Sequence, residues 1–131
     1  MLDRSAYIKR YLHVLSVFDK IGIDTIPQGL YPGSMRVRFL NDDLDRMETD
    51  PHYRGPFPFA VVKAYAKRIW QLRAIADERD LYRNKGMHFE KYQAVLGQHS
   101  IRLNKQYRLI VELEGDAPNK TVVIVKVTDY H

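Results

Sequence analysis

Residues 98–114 read QHSIRLNKQYRLIVELE, a stretch in which apolar and polar side chains alternate along two short segments. A period of two is typical of β-strands that bury one of their faces. In the second segment the apolar set is every other residue of 107–113, which leaves Arg108 on the opposite face. A tight turn at Asn104-Lys105, with the asparagine at positive φ, is predicted to join two antiparallel strands.

The flanking sequence adds a third strand and two helices to this hairpin. Residues 121–128, TVVIVKVT, are rich in β-branched side chains and predict a strand. Apolar residues recur at helical spacing over 61–76, after a proline (Pro58) that suits the first turn of a helix. Asn41 is expected to cap a short acidic helix that runs to about Thr49. Because the helices precede the strands, the sequence predicts an α+β fold, an antiparallel twisted sheet packed against N-terminal helices.

The chain divides into two unequal parts. Residues 1–34 contain apolar side chains at helical spacing and end in a connector with two prolines and two glycines. Such a segment is consistent with a cloning remnant, with an over-extended reading frame ahead of a start at Met35, or with a genuine helical extension. The domain itself is expected at residues 35–131 and begins with a short alternating strand at 36–40.

Composition excludes several classes of protein. The 131 residues fit one domain, and 45% apolar with 28% charged residues supports a packed core. The chain has no cysteine, which excludes disulfides, cysteine-based zinc sites, thiol nucleophiles and iron–sulfur clusters. We find no apolar run near the ~20 residues of a membrane-spanning helix and no export signal, so a cytoplasmic protein with no membrane partner is expected.

The positive charge is concentrated in one part of the chain. Residues 79–108 hold seven cationic and two anionic side chains, which accounts for the whole net charge of +5. A localised cationic surface suits a polyanion such as nucleic acid, although a solvated basic face has the same composition.

General catalytic motifs are missing, and the C-terminus is the segment that could carry chemistry. The sequence has no glycine-rich phosphate loop, no His-Glu-x-x-His and no Gly-x-Ser-x-Gly, and its five histidines are scattered, so neither a metal nor a cofactor is predicted. Asp129, Tyr130 and His131 end the chain directly after the most β-like segment. If the sheet is concave on the side of Arg102 and Arg108, these groups would converge in one groove.

Two motifs resemble a known family. Residues 100–110, SIRLNKQYRLI, and 127–131, VTDYH, are similar to the RelE/ParE superfamily of toxins, and most similar to its HigB-like branch. Residues 50–55, 76–81 and 88–91 look familiar for the same branch. The resemblance covers residues 35–131, and the two motifs in this order are more specific than either alone.

The resemblance implies a compact RelE-like domain that acts as the toxin of a type II toxin–antitoxin system. Such toxins enter the ribosomal A site and cut the mRNA there without a metal. Their partner would be a HigA-like antitoxin with a helix-turn-helix domain, so DNA is contacted only through the antitoxin. The family's Leu-Lys-Gly element would align near Tyr92-Gln93-Ala94, where the lysine is missing in register and Lys91 lies two positions earlier.

The resemblance also implies an active site made of Arg108, Asp129, Tyr130 and His131. These residue types fit RNA cleavage by attack of the 2′-hydroxyl on the adjacent phosphorus. The imidazole of His131 would carry a proton and Asp129 would orient it or act as the base. Arg108 would stabilise the phosphate charge, while Tyr130 would stack on a base or bind the backbone. Three further cations would bind the flanking phosphates: Lys85, Lys91 and Arg102.

Simpler interpretations stand beside these roles. Arg108 could form a surface salt bridge with Glu112, Tyr130 could be a core residue, and His131 could be an ordinary chain end. His88 and His99 are expected to be structural. For the whole protein, the alternatives are a ParE-like, non-enzymatic gyrase inhibitor and a degenerate toxin that still binds RNA or antitoxin.

Overall fold

The computed structural model describes residues 35–75, 78–116 and 120–130. In these ranges a strand is followed by three helices, a short 3₁₀ turn and four further strands. The elements are β1 Arg36–Phe39, α1 Asp42–Thr49, α2 Phe59–Arg73, α3 Arg79–Arg83, the 3₁₀ turn Lys85–Met87, β2 Glu90–Lys91, β3 Gln98–Arg102, β4 Tyr107–Glu114 and β5 Thr121–Asp129. No helix in these ranges has the length and apolar character needed to cross a membrane.

Several sequence predictions fall on residues outside the described ranges. They concern residues 1–34, Ala76, residues 117–119 and His131. The division of the chain before residue 35 therefore stays a prediction. Met35 itself is only 1% exposed, and its backbone N–H donates to the Ile75 carbonyl at 3.1 Å, so this residue is part of the packed domain.

The five strands form one mixed sheet in the order β1-β5-β4-β3-β2. Neighbouring strands from β2 to β5 are antiparallel, whereas β1 runs parallel to β5. The α+β prediction is confirmed, and the sheet differs from the expected antiparallel one at this edge. Since β1 and β5 are separated by most of the domain, the alternation within either strand carries no information on their relative direction.

Helix α1 has the cap that its sequence predicts. The Asn41 Oδ1 accepts a hydrogen bond from the Leu44 N–H at 3.0 Å, which satisfies one of the free donors of the first turn. Asp42, Asp43 and Asp45 add negative charge where the helix dipole favours it. The predicted end at Thr49 is confirmed.

Helix α2 carries most of the helical core. The Pro58 carbonyl accepts from the N–H groups of Val61 and Val62, so the proline lies just outside the helix rather than in its first turn. The predicted stripe is confirmed and is at most 1% exposed: Val61, Tyr65, Ile69 and Leu72. Trp70 is also fully buried, so the helix is covered on more than the stripe.

One face of the sheet packs against the helices and forms the core with them. A β-bulge in β5 makes this possible: Ile110 pairs with Lys126 and the next residue, Val111, pairs with Ile124. The strand thus has one extra residue, Val125, opposite β4. Ile124 and Val127 therefore both enter the core although they are three positions apart. Lys126 is left on the opposite face of the sheet.

Two polar side chains beneath the helices, Arg73 and Tyr65, have buried partners. Arg73 is 7% exposed and its Nη1 donates to the Oε2 of Glu48, which is 2% exposed. Tyr65 donates its hydroxyl to the Leu44 carbonyl at 2.5 Å and so joins α2 to α1. Burial raises the pKa of Tyr65 above its ordinary value, which keeps this hydroxyl protonated.

The connection between β3 and β4 differs from the predicted turn. Asn104 does not adopt a positive φ. Instead its Oδ1 accepts from the N–H groups of Gln106 and Tyr107, at 2.9 and 2.7 Å. These side-chain bonds, typical of an Asx turn, add to the backbone bonds that the Leu103 and Asn104 N–H groups donate to the Tyr107 carbonyl. The predicted bounds of β4 are nevertheless confirmed, Tyr107 to Glu114.

Candidate nucleic-acid interface

The strand register aligns two arginines across β3 and β4. Arg102 pairs directly with Arg108, and Arg108 pairs with Thr128 of β5. Directly opposite residues of antiparallel strands point to the same side of the sheet. The pairing of Ile110 with Lys126 adds a third cation to this side. We call the surface formed by Arg102, Arg108 and Lys126 the cationic face; it lies opposite the helices.

Within the described part of the chain, no carboxylate forms an ion pair with either Arg102 or Arg108. The simpler interpretation of Arg108, a salt bridge to Glu112, is not observed; Glu112 accepts from the Gln98 amide at 2.8 Å. Like charges directly opposite each other destabilise a sheet. Within the described ranges, the opposed arginines therefore gain no stability from an ion pair, and their repulsion is a cost to the sheet.

Arg108 is held in place on the cationic face by neutral groups. Its Nη1 donates to the Asn104 carbonyl at 2.8 Å, and its Cζ lies 4.7 Å from the centroid of the Tyr130 ring. Tyr130 is fixed in turn, since its backbone N–H donates to the Gln106 carbonyl at 2.7 Å. The Tyr130 side chain is 43% exposed rather than a core residue. The contacts orient the guanidinium and leave it with its full charge.

Asp129 points to the other side of the sheet. It pairs with Tyr107, whose ring packs against the core, and its Oδ2 accepts from the Gln106 side-chain amide at 2.8 Å. The structure thus brings Arg102, Arg108 and Tyr130 together but directs Asp129 away from them. His131 lies outside the described residues.

Lys85 lies beside the end of β3 because Arg68 joins the two segments. The Arg68 Nε donates to the Arg102 carbonyl at 2.9 Å, and its Nη2 donates to the Gly86 carbonyl at 2.7 Å. Burial lowers the pKa of the Arg68 guanidinium and the nearby Arg102 lowers it further, although an arginine stays protonated at any physiological pH. The exposed Lys85 is thereby kept close to Arg102.

Lys91 is separated from the arginines. It pairs with His99, so it faces the helix side of the sheet at the β2 edge. His99 stacks on Phe89 with ring centroids 4.7 Å apart, and its buried Nδ1 has no hydrogen-bond partner. Burial lowers the pKa of His99, with a further decrease from Lys91 and an opposing effect from Glu78. This is the structural role that the sequence predicted for His99.

Lys126 and Tyr92 lie in this region but were not among the predicted site residues. Lys126 is exposed, and its Nζ lies 5.7 Å from the centroid of the Tyr92 ring. The available signal was the single lysine inside the apolar run VVIVKV. Its orientation depends on the bulge at Val125, which no local pattern of the sequence indicates.

The other end of the same sheet face is close to neutral. Arg38 donates to Glu114 at 2.7 Å, and Glu112 is bound by Gln98. Cations beside an exposed aromatic ring are groups that can bind single-stranded nucleic acid, and Arg102, Arg108 and Tyr130 lie together at the opposite end of the face. Among the described residues, no group of three or more His, Asp or Glu side chains is arranged to hold a metal ion.

Comparison with known proteins adds one distant likeness. No protein-family model matches the chain, and no curated protein matches it. Among solved structures, the chain is similar to a YoeB/ParE toxin from Agrobacterium tumefaciens, with 14% sequence identity and a TM-score of 0.42. The match covers 74% of this chain and 100% of the other.

Proposed function

We propose that this protein is the toxin of a type II toxin–antitoxin system, a RelE/HigB-like endoribonuclease that cuts mRNA in the ribosomal A site and so inhibits translation. The observation that carries the proposal is the opposed pair Arg102 and Arg108, which has no carboxylate partner in the described ranges. A phosphodiester supplies the negative charge that this pair lacks.

Binding of the RNA is assigned to the cationic face. Arg108 contacts the scissile phosphate, since its guanidinium is oriented by Asn104 and Tyr130. Arg102 and Lys85 contact phosphates on either side. Lys91 faces the other side of the sheet, so it contacts RNA only where the strand passes the β2 edge. Tyr130 stacks on a base.

The proposed reaction needs no group besides RNA and protein. The 2′-oxygen loses its proton and forms a bond to the adjacent phosphorus, while the bond from phosphorus to the 5′-oxygen breaks. The products are a 2′,3′-cyclic phosphate and a 5′-hydroxyl that has received a proton. Arg108 stabilises the charge that develops on the non-bridging oxygens.

Proton transfer is assigned to His131, because imidazole titrates closest to neutral pH. Of the two roles considered for Asp129, we favour orientation of a neighbouring group over action as the base. The register directs its carboxylate away from Arg108, and the carboxylate already accepts from Gln106.

The proposed biological setting follows the same family. The toxin acts in the cytoplasm and is inhibited by a HigA-like antitoxin whose helix-turn-helix domain binds the operator DNA. The toxin itself contacts DNA only through that antitoxin.

The test is induction of the chain in bacteria without an antitoxin, followed by mapping of mRNA 5′ ends. We expect growth arrest and new 5′ ends within codons at the ribosomal A site. Arg108→Ala and His131→Ala should abolish both effects, whereas Lys63→Ala, an exposed lysine of α2, should retain them. If the folded Arg108 and His131 variants stay as toxic as the parent, the site assignment is wrong.

The same experiment separates the alternatives. A DNA-damage response with intact mRNA would indicate a ParE-like gyrase inhibitor and contradict the nuclease proposal. No growth effect from either the full chain or a version starting at Met35 would indicate a degenerate binding module and would equally contradict it.

A further inference from the structure

A second cation–aromatic pair lies on the cationic face, next to Arg108 and Tyr130. Lys126 and Thr128 are two positions apart on β5, beyond the bulge, and Thr128 pairs with Arg108. At ~3.3 Å per residue, Lys126 is therefore about 7 Å further along the face. Its Nζ lies 5.7 Å from the centroid of the Tyr92 ring. Lys126 forms no ion pair with any described residue.

A cavity of about 370 Å³ lies at the β2 edge of the sheet, beside Tyr92, and its lining includes Lys91 and His99 of the helix side. It is lined by the β2–β3 connection from Lys91 to His99, and Tyr92 forms part of its wall. This volume is within the usual range for small-ligand sites. The connection is anchored because the Tyr92 N–H donates to the Gln98 carbonyl at 2.9 Å, so the cavity has a defined wall.

The lining of the cavity suits a nucleobase. The Tyr92 ring and the apolar side chains of Val95 and Leu96 provide surface for a flat ring. The Gln93 amide provides a donor and an acceptor, and Gln98, whose Nε2 already donates to Glu112, provides its side-chain carbonyl as an acceptor. The charged side chains nearby are Lys91 in the lining, Lys126 beside Tyr92, and Glu112, whose carboxylate is bound by the Gln98 amide. Burial lowers the pKa of His99, which favours the neutral form of that imidazole.

We propose that Tyr92 and Lys126 form a second nucleotide position, in which a base stacks on Tyr92 within the cavity and its phosphate binds Lys126. This inference rests on the proposed function, because it extends the RNA bound at Arg108 by one nucleotide. A base reaches the cavity only when it is unstacked from its neighbour, so the substrate is single-stranded and at least two nucleotides long.

The position is tested with 2′-O-methyl oligoadenylates of one to four nucleotides, which cannot undergo 2′-hydroxyl attack. Affinity is measured by titration, and NMR amide shifts report which residues respond. We expect a clear gain in affinity from one nucleotide to two, with amide shifts at Tyr92 and Lys126 only from the dinucleotide onward. A duplex of the same sequence should bind more weakly than the single strand.

Variants assign that gain to the two side chains. Tyr92→Ala should lower dinucleotide affinity by roughly 5- to 150-fold, the range for loss of one stacked base, whereas Tyr92→Phe should keep affinity within about 2-fold. Lys126→Ala, at an exposed position, should weaken binding without affecting the fold. Lys63→Ala is the matched control and should bind like the parent.

The outcomes separate this proposal from the one it rests on. If Arg108→Ala weakens binding but Tyr92→Ala and Lys126→Ala do not, the second position is refuted and the RNA-binding face stands. If none of the three variants differs from Lys63→Ala, both proposals fail.

Discussion

Arginines on the helix side of the sheet and arginines on its cationic face have different partners. Beneath the helices, Arg73 is buried and forms an ion pair with the Glu48 carboxylate. Arg68 donates to two backbone carbonyls and to the Gln71 side chain. On the other side, Arg102 and Arg108 are opposed, partly exposed and without a carboxylate within the described ranges.

This difference separates stability from function. A buried charge must be paired for the domain to fold, so the contacts of Arg73 need no further explanation. The direct opposition of two cations is itself repulsive and costs some stability. Sites at which a protein accepts such a cost are the places to expect binding or catalysis.

The largest expected effect comes from breaking the buried pair. Glu48→Gln removes the negative charge that the buried Arg73 contacts and should lower the free energy of unfolding by about 3–5 kcal/mol. Urea denaturation measures this, with Glu114→Gln as control: that carboxylate pairs with Arg38 at the surface, where the loss should stay below about 1 kcal/mol. Equal losses in the two variants would contradict the distinction between the sides.

Adjacent residues of β4 test the same distinction within one strand. Leu109 is fully buried in the core, so Leu109→Ala should cost about 2–5 kcal/mol of stability. Arg108→Ala should change stability by less than about 1 kcal/mol, because relief of repulsion from Arg102 offsets the loss of the Tyr130 contact and of the hydrogen bond to the Asn104 carbonyl. An Arg108→Ala variant as unstable as Leu109→Ala would show that this arginine is structural.

A smaller expected effect is the pH dependence of stability that comes from His99, on the helix side of the sheet. The pKa of His99 is lower in the folded protein, so the unfolded chain takes up the proton first as pH falls through about 6.5. Stability should therefore decrease with falling pH until the folded-state pKa is passed. Urea midpoints between pH 7.5 and 5.5 should fall less in His99→Gln than in the parent; identical slopes would exclude this contribution.

Local signals predicted the elements that depend on local physics. The cap at Asn41 and the strand from Tyr107 to Glu114 follow from hydrogen-bonding groups and alternation within a few residues. The parallel pairing of β1 with β5 depends on contacts between distant parts of the chain, and the Asn104 connection on a choice between side-chain and backbone hydrogen bonds.

The sequence likewise predicted only the part of the candidate site that depends on alternation within a strand. Alternation alone put Arg102 and Arg108 away from the apolar sets of their strands, and the register aligns them. The bulge at Val125 decides that Lys126 joins them, and the fold of the β2–β3 connection decides that Tyr92 meets Lys126. Neither the bulge nor this contact can be predicted from a local sequence pattern, because each depends on how the whole sheet assembles.

The central claim, that the opposed arginines bind RNA phosphates, is tested most directly by the salt dependence of affinity for a single-stranded RNA. Each phosphate contact contributes about 0.7 to the slope of log affinity against log salt concentration. We expect Arg102→Gln and Arg108→Gln each to reduce the slope by about that amount, and Lys63→Gln to leave it unchanged. Slopes in both arginine variants equal to that of the lysine control would contradict the account.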